Sequence, residues 1–383
     1  MIAVIVNILL FLLVIGVLTF IHELGHFTVA KLVGATVYEF ALGWGPKLFS
    51  KKYKGTEYSI RMLPIGGFVK ILGDGDPGKE GEEKDLKKDP GNLNNKSKFA
   101  QVLVMLAGVF MNVVFAISAY YIVLSSLNWT VPLDSSFQDF QPIGGEMIKE
   151  KVSDVEYSDI VDDMGAQLAG LPTEGVISSI DGNELEYSDQ VGELLKEKSG
   201  GESVVNVCVD DSCNDYIVQV SEDGKIGIML RNNYIVAISY QENKIAAGFS
   251  HVLNTLRLVN QRFGEMFSAA NDSGDYSELS NTVSGPVGIY FLIDYFKNFG
   301  VITFLSIVAD LSLSLAIMNI LPIPALDGGR ILILLVESIL GKDLNEKIEA
   351  LIINISFILI MLLVVVIMVK DILNIDTLRS MFG

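Results

Sequence analysis

The sequence predicts a polytopic α-helical membrane protein: four transmembrane helices, a membrane-associated β-loop between the first two, and an extracytoplasmic α+β domain between the second and third. Three observations predict it. Half of the 383 residues are hydrophobic, a composition of membrane-embedded chains. The apolar residues fall in long uninterrupted blocks rather than at the spacing of a soluble core. The charged residues, with a net charge of −18, are sorted unevenly along the chain.

The blocks give the spans. Met1–Ile21 holds no charge, and Phe99–Leu127, Val301–Leu321 and Ala350–Val369 are similarly apolar. At 1.5 Å per residue each is long enough to cross about 30 Å of hydrocarbon. A cleaved signal peptide would need a basic n-region and a small-residue cleavage site, and Met1–Ile21 followed by His22 and Glu23 has neither. The expected boundaries are 1–33 and 99–127 for the first two spans and 299–321 and 350–370 for the last two. Between them lie a loop at 34–98, an extracytoplasmic domain at 128–240 with its core at 165–232, a helical segment at 241–298, and a turn with a short helix at 322–349.

Charge orients these pieces. Lys31–Lys98 contains 13 of the 28 basic residues, whereas Ser125–Phe299 holds 28 acidic against 10 basic residues. Basic loops stay in the cytoplasm. The first loop is therefore expected inside, with both termini and the acidic domain outside, as in a bacterial inner membrane. Such acidity excludes nucleic acid as a partner.

Within the first loop, Thr36–Phe49 and Tyr58–Leu72 carry strand-type residues broken by Gly43-Trp44-Gly45 and Gly66-Gly67. Gly73–Lys98 is almost devoid of apolar residues and is expected to be a mobile, solvated segment. In the acidic domain the runs Gly175–Ile180, Ser203–Val209 and Tyr216–Val220 read as strands and Ser188–Lys198 as a helix. Its order, with Gly-Ala-Gln-Leu-Ala-Gly-Leu at 165–171 and Gly-Val-Ile-Ser-Ser-Ile-Asp-Gly-Asn at 175–183, resembles the PDZ domains of bacterial proteases. PDZ domains take an extended peptide as an added strand, so peptide or protein tails are the expected ligands. Cys208 and Cys213 flank a turn on the oxidising side, and either a local disulfide or two free thiols fits that spacing. In Ile245–Phe267 the apolar positions recur every three or four residues, with Asn254, Arg257, Asn260 and Gln261 between them, as on an amphipathic helix. His251 in this helix is expected to be an ordinary surface histidine.

The chemistry concentrates in Phe20-Ile21-His22-Glu23-Leu24-Gly25-His26. Imidazoles at i and i+4 share one helical face and can reach a single metal ion, with Glu23 beside it. The chain has three histidines, and placing two of them with a glutamate at the end of an uncharged run is costly without a function. A zinc ion on histidine and carboxylate ligands, with one open position, brings bound water to a pKa of about 7. Glu23 can then take that proton and return it to a leaving amine. A third ligand is required. Asp327, in Leu321-Pro322-Ile323-Pro324-Ala325-Leu326-Asp327-Gly328-Gly329, is the late acid in an apolar setting, where two prolines must break the third span; its alternative is to cap the following helix. Asn319, two turns earlier, offers an amide for an oxyanion.

His22–His26 together with Asn319–Gly328 resembles the site-2 protease family, specifically its bacterial RseP-type members with a PDZ insertion. Gly43-Trp44-Gly45 is similar to the family's Gly-x-Gly loop, Arg61–Lys70 to its membrane-associated β-loop, and Ser284-Gly285-Pro286 to the segment before its third span. The resemblance implies an intramembrane Zn2+ metalloprotease that cuts single-pass membrane proteins, such as anti-sigma factors or remnant signal peptides, after an upstream site-1 protease. It implies His22, His26 and Asp327 as metal ligands and Glu23 and Asn319 as catalytic residues. Gly43, Gly45, Arg61, Gly66, Gly67 and Phe68 are expected to bind substrate. One departure is that 131–236 has room for a single PDZ domain, where the best-known members carry two. A catalytically silent PDZ receptor and a membrane-anchored peptidase of soluble proteins are the alternatives.

Overall fold

The computed structural model describes residues 2–74, 89–210, 212–342 and 344–375. It divides into two compact units: residues 1–126 with 248–383, and residues 127–247. Among the described residues four helices are long and apolar enough to cross a membrane.

In the first unit, α1 (Ile2–Leu32) is predominantly apolar, interrupted by His22, Glu23 and His26, and carries Lys31 in its last turn. Two long strands follow, β1 (Val37–Tyr53) and β2 (Thr56–Ile71). Glu39–Leu42 of β1 pair with residues 67–70 on one side and with residues 57–60 on the other, while residues 49–53 pair with 56–60. The two strands thus fold into four short segments, and the bend of β1 is made at Gly43, where φ is +85° and a Cβ would lie 2.4 Å from Leu63 O. Residues 75–88, most of the segment expected to be mobile, lie outside the described residues. Residues 89–97 correct that expectation. Leu93 is buried with Ala30, Val37, Ile71, Val104 and Met105, and its N–H donates to Leu72 O at 2.8 Å. One leucine suffices: burying it is worth about 1.5–3 kcal/mol, and the Asn92 side chain caps its short helical turn.

The second apolar helix, α2 (Lys98–Ser126), packs along α1. Gly25 permits the approach, since a Cβ there would lie 2.2 Å from Ala107 O. After the second unit come α5 (Ala247–Ser273), α6 (Ser277–Thr282), α7 (Pro286–Phe296), α8 (Val301–Ile320), α9 (Asp327–Leu340) and α10 (Glu346–Leu373). The helix α7 was not foreseen. Its Ile293 closes a core with Val14, Leu18 and Val308, and its N-terminus is capped from a distance by Asp371, which accepts from Gly285 N and Gly288 N at 2.9 and 3.0 Å. Among its described residues α10 buries only Asp371, as a helix surrounded by lipid can.

The expected surface role of His251 is also corrected. Its ring packs edge-on against Tyr120 at 4.6 Å between centroids, and burial pushes it down to about 4. Tyr120 itself donates to Asp310 of α8, and Asn254, expected on the solvated face, is fully buried.

The second unit holds a sheet in the order β10-β5-β6-β8-β9, from β5 (Glu156–Ile160), β6 (Gly175–Ile180), β8 (Glu202–Val209), β9 (Ser212–Gln219) and β10 (Ile228–Leu230), with β7 (Asn183–Glu184) on β6. Two helices, α3 (Gly165–Leu168) and α4 (Asp189–Lys196), belong to it. Its core gathers Val155, Ile177, Ile180, Val191, Leu195, Val205, Val218 and Ile226. A second sheet, of β3 (Thr130–Leu133), β11 (Tyr234–Ser239) and β4 (Glu146–Lys151), has β11 in the middle. Cys208 and Cys213 are disulfide-bonded, directly opposite each other on β8 and β9.

Candidate metal centre

Three ligand-bearing side chains meet in the membrane-spanning unit. His22 Nε2 and His26 Nε2 are 3.1 Å apart, and Asp327 Oδ2 lies 3.1 Å from the first and 3.3 Å from the second. Among the described residues this is the group of His, Cys, Asp and Glu with metal-ligand proximity. Both histidines are 8% exposed.

The helices explain the convergence. His22 and His26 sit one turn apart on α1, and α2 faces them with Val104, Gly108 and Asn112, also one turn apart. Val104 O accepts from His26 Nδ1 at 2.8 Å; Asn112 lies against His22 Nδ1 at 3.3 Å; Gly108 between them leaves the room that the rings occupy. Asp327 is delivered by the break after α8. Pro322 and Pro324 cannot continue a helix, and the turn closes through Ile323 N to Leu321 O and Leu326 N to Ile323 O at 2.7 and 2.8 Å. The cap position of α9 is Leu326, so Asp327 is the first helical residue, turned to the histidines rather than capping.

The donor set fits zinc. A tetrahedral ion with bonds of about 2.0–2.1 Å holds its ligands about 3.3 Å apart, close to the separations here. Asp327 Oδ2 is buried and has no hydrogen-bond partner among the described residues. Because a carbonyl oxygen only accepts, His26 carries its proton on Nδ1 and presents a lone pair at Nε2. Electron-rich atoms converging on one point are unfavourable until a cation joins them.

Glu23 is half-buried beside this group. It faces Gly67 of β2, where an added Cβ would lie 3.5 Å from Glu23 Cγ and 2.8 Å from Ala41 O. The other expected substrate residues surround the bends of the β-loop. Gly43 and Gly45 flank Trp44, whose ring meets Phe68 at 6.0 Å, and Gly66 approaches the Trp44 indole nitrogen. Arg61 is turned inward: it donates to Gly45 O and to Glu39, each at 2.7 Å, and stacks over Phe68 at 4.9 Å. What it does here is brace the bend. Burial alone would raise the Glu39 carboxyl, but the Ser59 hydroxyl and Arg61 win and hold it below its usual range. Asn319 lies in the last turn of α8, half-buried. Sequence reasoning missed Asn112, Gly108 and the Val104 carbonyl. Asn112 alone left a signal, being a polar residue inside an apolar span.

Residues 10–363 match Peptidase family M50. A Clostridium perfringens protein named as a zinc metalloprotease is 34% identical, over 94% of this chain and 97% of its own length. Regulator of sigma-W protease RasP of Bacillus subtilis is 28% identical, over 96% of this chain and 98% of its own. Membrane metalloprotease ARASP, chloroplastic, of Arabidopsis thaliana is 29% identical, over 94% of this chain and 77% of that protein. With the convergence of His22, His26 and Asp327 and the four apolar helices, these likenesses mean that the chain belongs to peptidase family M50, the site-2 proteases, and is a zinc metalloprotease of membranes.

Proposed function

We propose that the chain hydrolyses peptide bonds in or near the transmembrane segments of single-pass membrane proteins. The observation that carries this reading is that His22 and His26 lie on a helix apolar enough to span a bilayer, with Asp327 reaching them across a proline-broken turn. His22, His26 and Asp327 would hold the zinc, which when bound acidifies water toward neutrality and polarises a carbonyl. Glu23 takes a proton from the attacking water and hands it to the leaving amine. Asn319 offers its amide to the developing oxyanion.

A helical substrate hides its scissile bond behind its own hydrogen bonds and must unwind to be cut. The segment 67–70 has strand partners only toward residues 39–42 among the described residues, and Gly67 beside Glu23 leaves room for a second backbone. Those two features support addition of the unwound substrate as a strand there. The exposed Trp44, Leu48, Phe49, Ile60, Met62 and Leu63 support contact of the bends with lipid.

The remaining assignments follow the charge pattern and the relatives' names. The chain sits in a bacterial inner membrane with residues 34–98 in the cytoplasm and residues 128–240, PDZ-like, outside. Its substrates are of the anti-sigma factor or remnant signal peptide kind, as the name of the Bacillus subtilis relative suggests for the first. An upstream protease trims them, and the PDZ-like groove takes peptide tails.

The test is Glu23→Gln in detergent with a single-pass substrate. Cleavage should fall by a factor of about 10² or more while one zinc per chain is retained. Cleavage that persists in the variant, or that never appears with zinc-loaded wild type, refutes the reading.

A further inference from the structure

The two histidines are not held in equivalent ways. His26 Nδ1 meets a carbonyl, which forces the proton onto Nδ1 and frees Nε2. His22 Nδ1 meets Asn112 Nδ2 at 3.3 Å. A nitrogen donor at that place would make Nδ1 the acceptor and put the ring proton on Nε2, the atom 3.1 Å from both Asp327 Oδ2 and His26 Nε2. The other end of the same amide is mismatched as well: Asn112 Oδ1 is buried without a hydrogen-bond partner among the described residues. Half a turn about the Cβ–Cγ bond exchanges the two ends of an asparagine amide. It turns the unpartnered oxygen onto His22 Nδ1–H as its acceptor and leaves a lone pair on Nε2.

We infer that Asn112 is a positioning residue of the metal centre, which accepts the His22 Nδ1–H through Oδ1 and thereby fixes the tautomer and ring plane of that ligand. This rests on the reading of His22, His26 and Asp327 as zinc ligands. The residue is built for such a task. It is fully buried, and its own carbonyl accepts from Ser312 Oγ of α8 at 3.0 Å, so the helix turn that carries it is tied to the helix leading to Asp327. It stands one turn beyond Gly108, itself one turn beyond Val104, so a single stripe of α2 orients one histidine, clears both rings, and orients the other. A leucine at 112 would keep the volume and lose the acceptor; an aspartate would keep an acceptor in the same place.

The experiment uses the full chain in detergent, loaded with zinc and 15N-labelled at its three histidines. His22 should carry its proton on Nδ1 in the wild-type protein; a His22 ring protonated on Nε2 overturns the inference without any variant. In chelator competition Asn112→Leu should bind zinc 10- to 100-fold more weakly and Asn112→Asp within about threefold of wild type. Wild-type affinity in Asn112→Leu, or an Asn112→Asp variant as weak as Asn112→Leu, also overturns it. A wild-type chain that binds no zinc sinks the ligand assignment itself, which separates the two failures.

Discussion

A methyl group at position 108 would sit 2.4 Å from His26 Nε2 and 2.6 Å from His22 Cε1, closer than any carbon can stand to either. Gly108→Ala is therefore expected to displace both rings and to lose zinc, measured as metal per chain after gel filtration, with cleavage falling alongside. His251 makes a second residue-level prediction. Burial holds the folded histidine at about 4, below its ordinary 6.5, so between those values the unfolded chain binds the proton that the folded chain refuses. Stability therefore declines as pH falls through that window. Melting curves between pH 7 and about 4 should show a smaller loss in His251→Phe than in wild type; equal losses would contradict it. The contrast between these residues and the His22 and His26 pair explains what sequence alone makes legible. His22, Glu23, His26 and Asp327 are chemically conspicuous in apolar runs. Gly108 and the Val104 carbonyl act through absence of a side chain and through the backbone, which any sequence position can offer.

The same division holds for whole elements. The apolar spans and the proline-broken turn follow from composition and covalent geometry. The face that α5 buries follows only in part. Of the positions that periodicity selects, Val252 and Met266 are buried but Phe249, Val259 and Phe263 are exposed, while Asn254 and Ala270, which it does not select, are buried. Packing against the apolar helix α2 favours small and polar residues that let backbones come close, as between membrane helices. Gly248 shows this at its clearest, since a Cβ there would lie 2.5 Å from Ile117 O. The β-loop yields a prediction at this scale. Among the described residues Ile60 has partners on both sides, Leu42 and Phe49, whereas Val69 is paired with Phe40 on one side. Proline at Val69 should reduce cleavage about tenfold or more while the melting temperature moves by only a few degrees; proline at Ile60 removes a ladder bond inside the loop and should lower both. Unchanged turnover in a well-expressed Val69→Pro protein would exclude this segment as the substrate's docking edge.

For the molecule as a whole the prediction concerns sidedness. In a background of Cys208→Ser and Cys213→Ser, a lone cysteine from Lys52→Cys and one from Glu184→Cys should react with an impermeant thiol reagent from opposite sides of the membrane, the first only after permeabilisation of the cells. Labelling of both from one side would overturn the charge-based orientation. The cysteines illustrate a limit of reading at this scale: their spacing left pairing open, and the structure decides it by placing the two residues opposite each other on adjacent strands.

The approach of Gly248 to Ile117 and Tyr121 reaches beyond helix packing. Residues 127–247 leave the core at the end of α2 and return to it at the start of α5, and these two helices are in backbone contact within the last turns of α2. To the helical unit, residues 127–247 are therefore an insertion between two adjacent helix ends, however long it grows. Loop length enters stability only logarithmically, so domains can be inserted, doubled or exchanged at this junction while the helices that carry His22, His26 and Asp327 are inherited untouched. Evolution can rework the inserted unit without disturbing the helices that bring His22, His26 and Asp327 together.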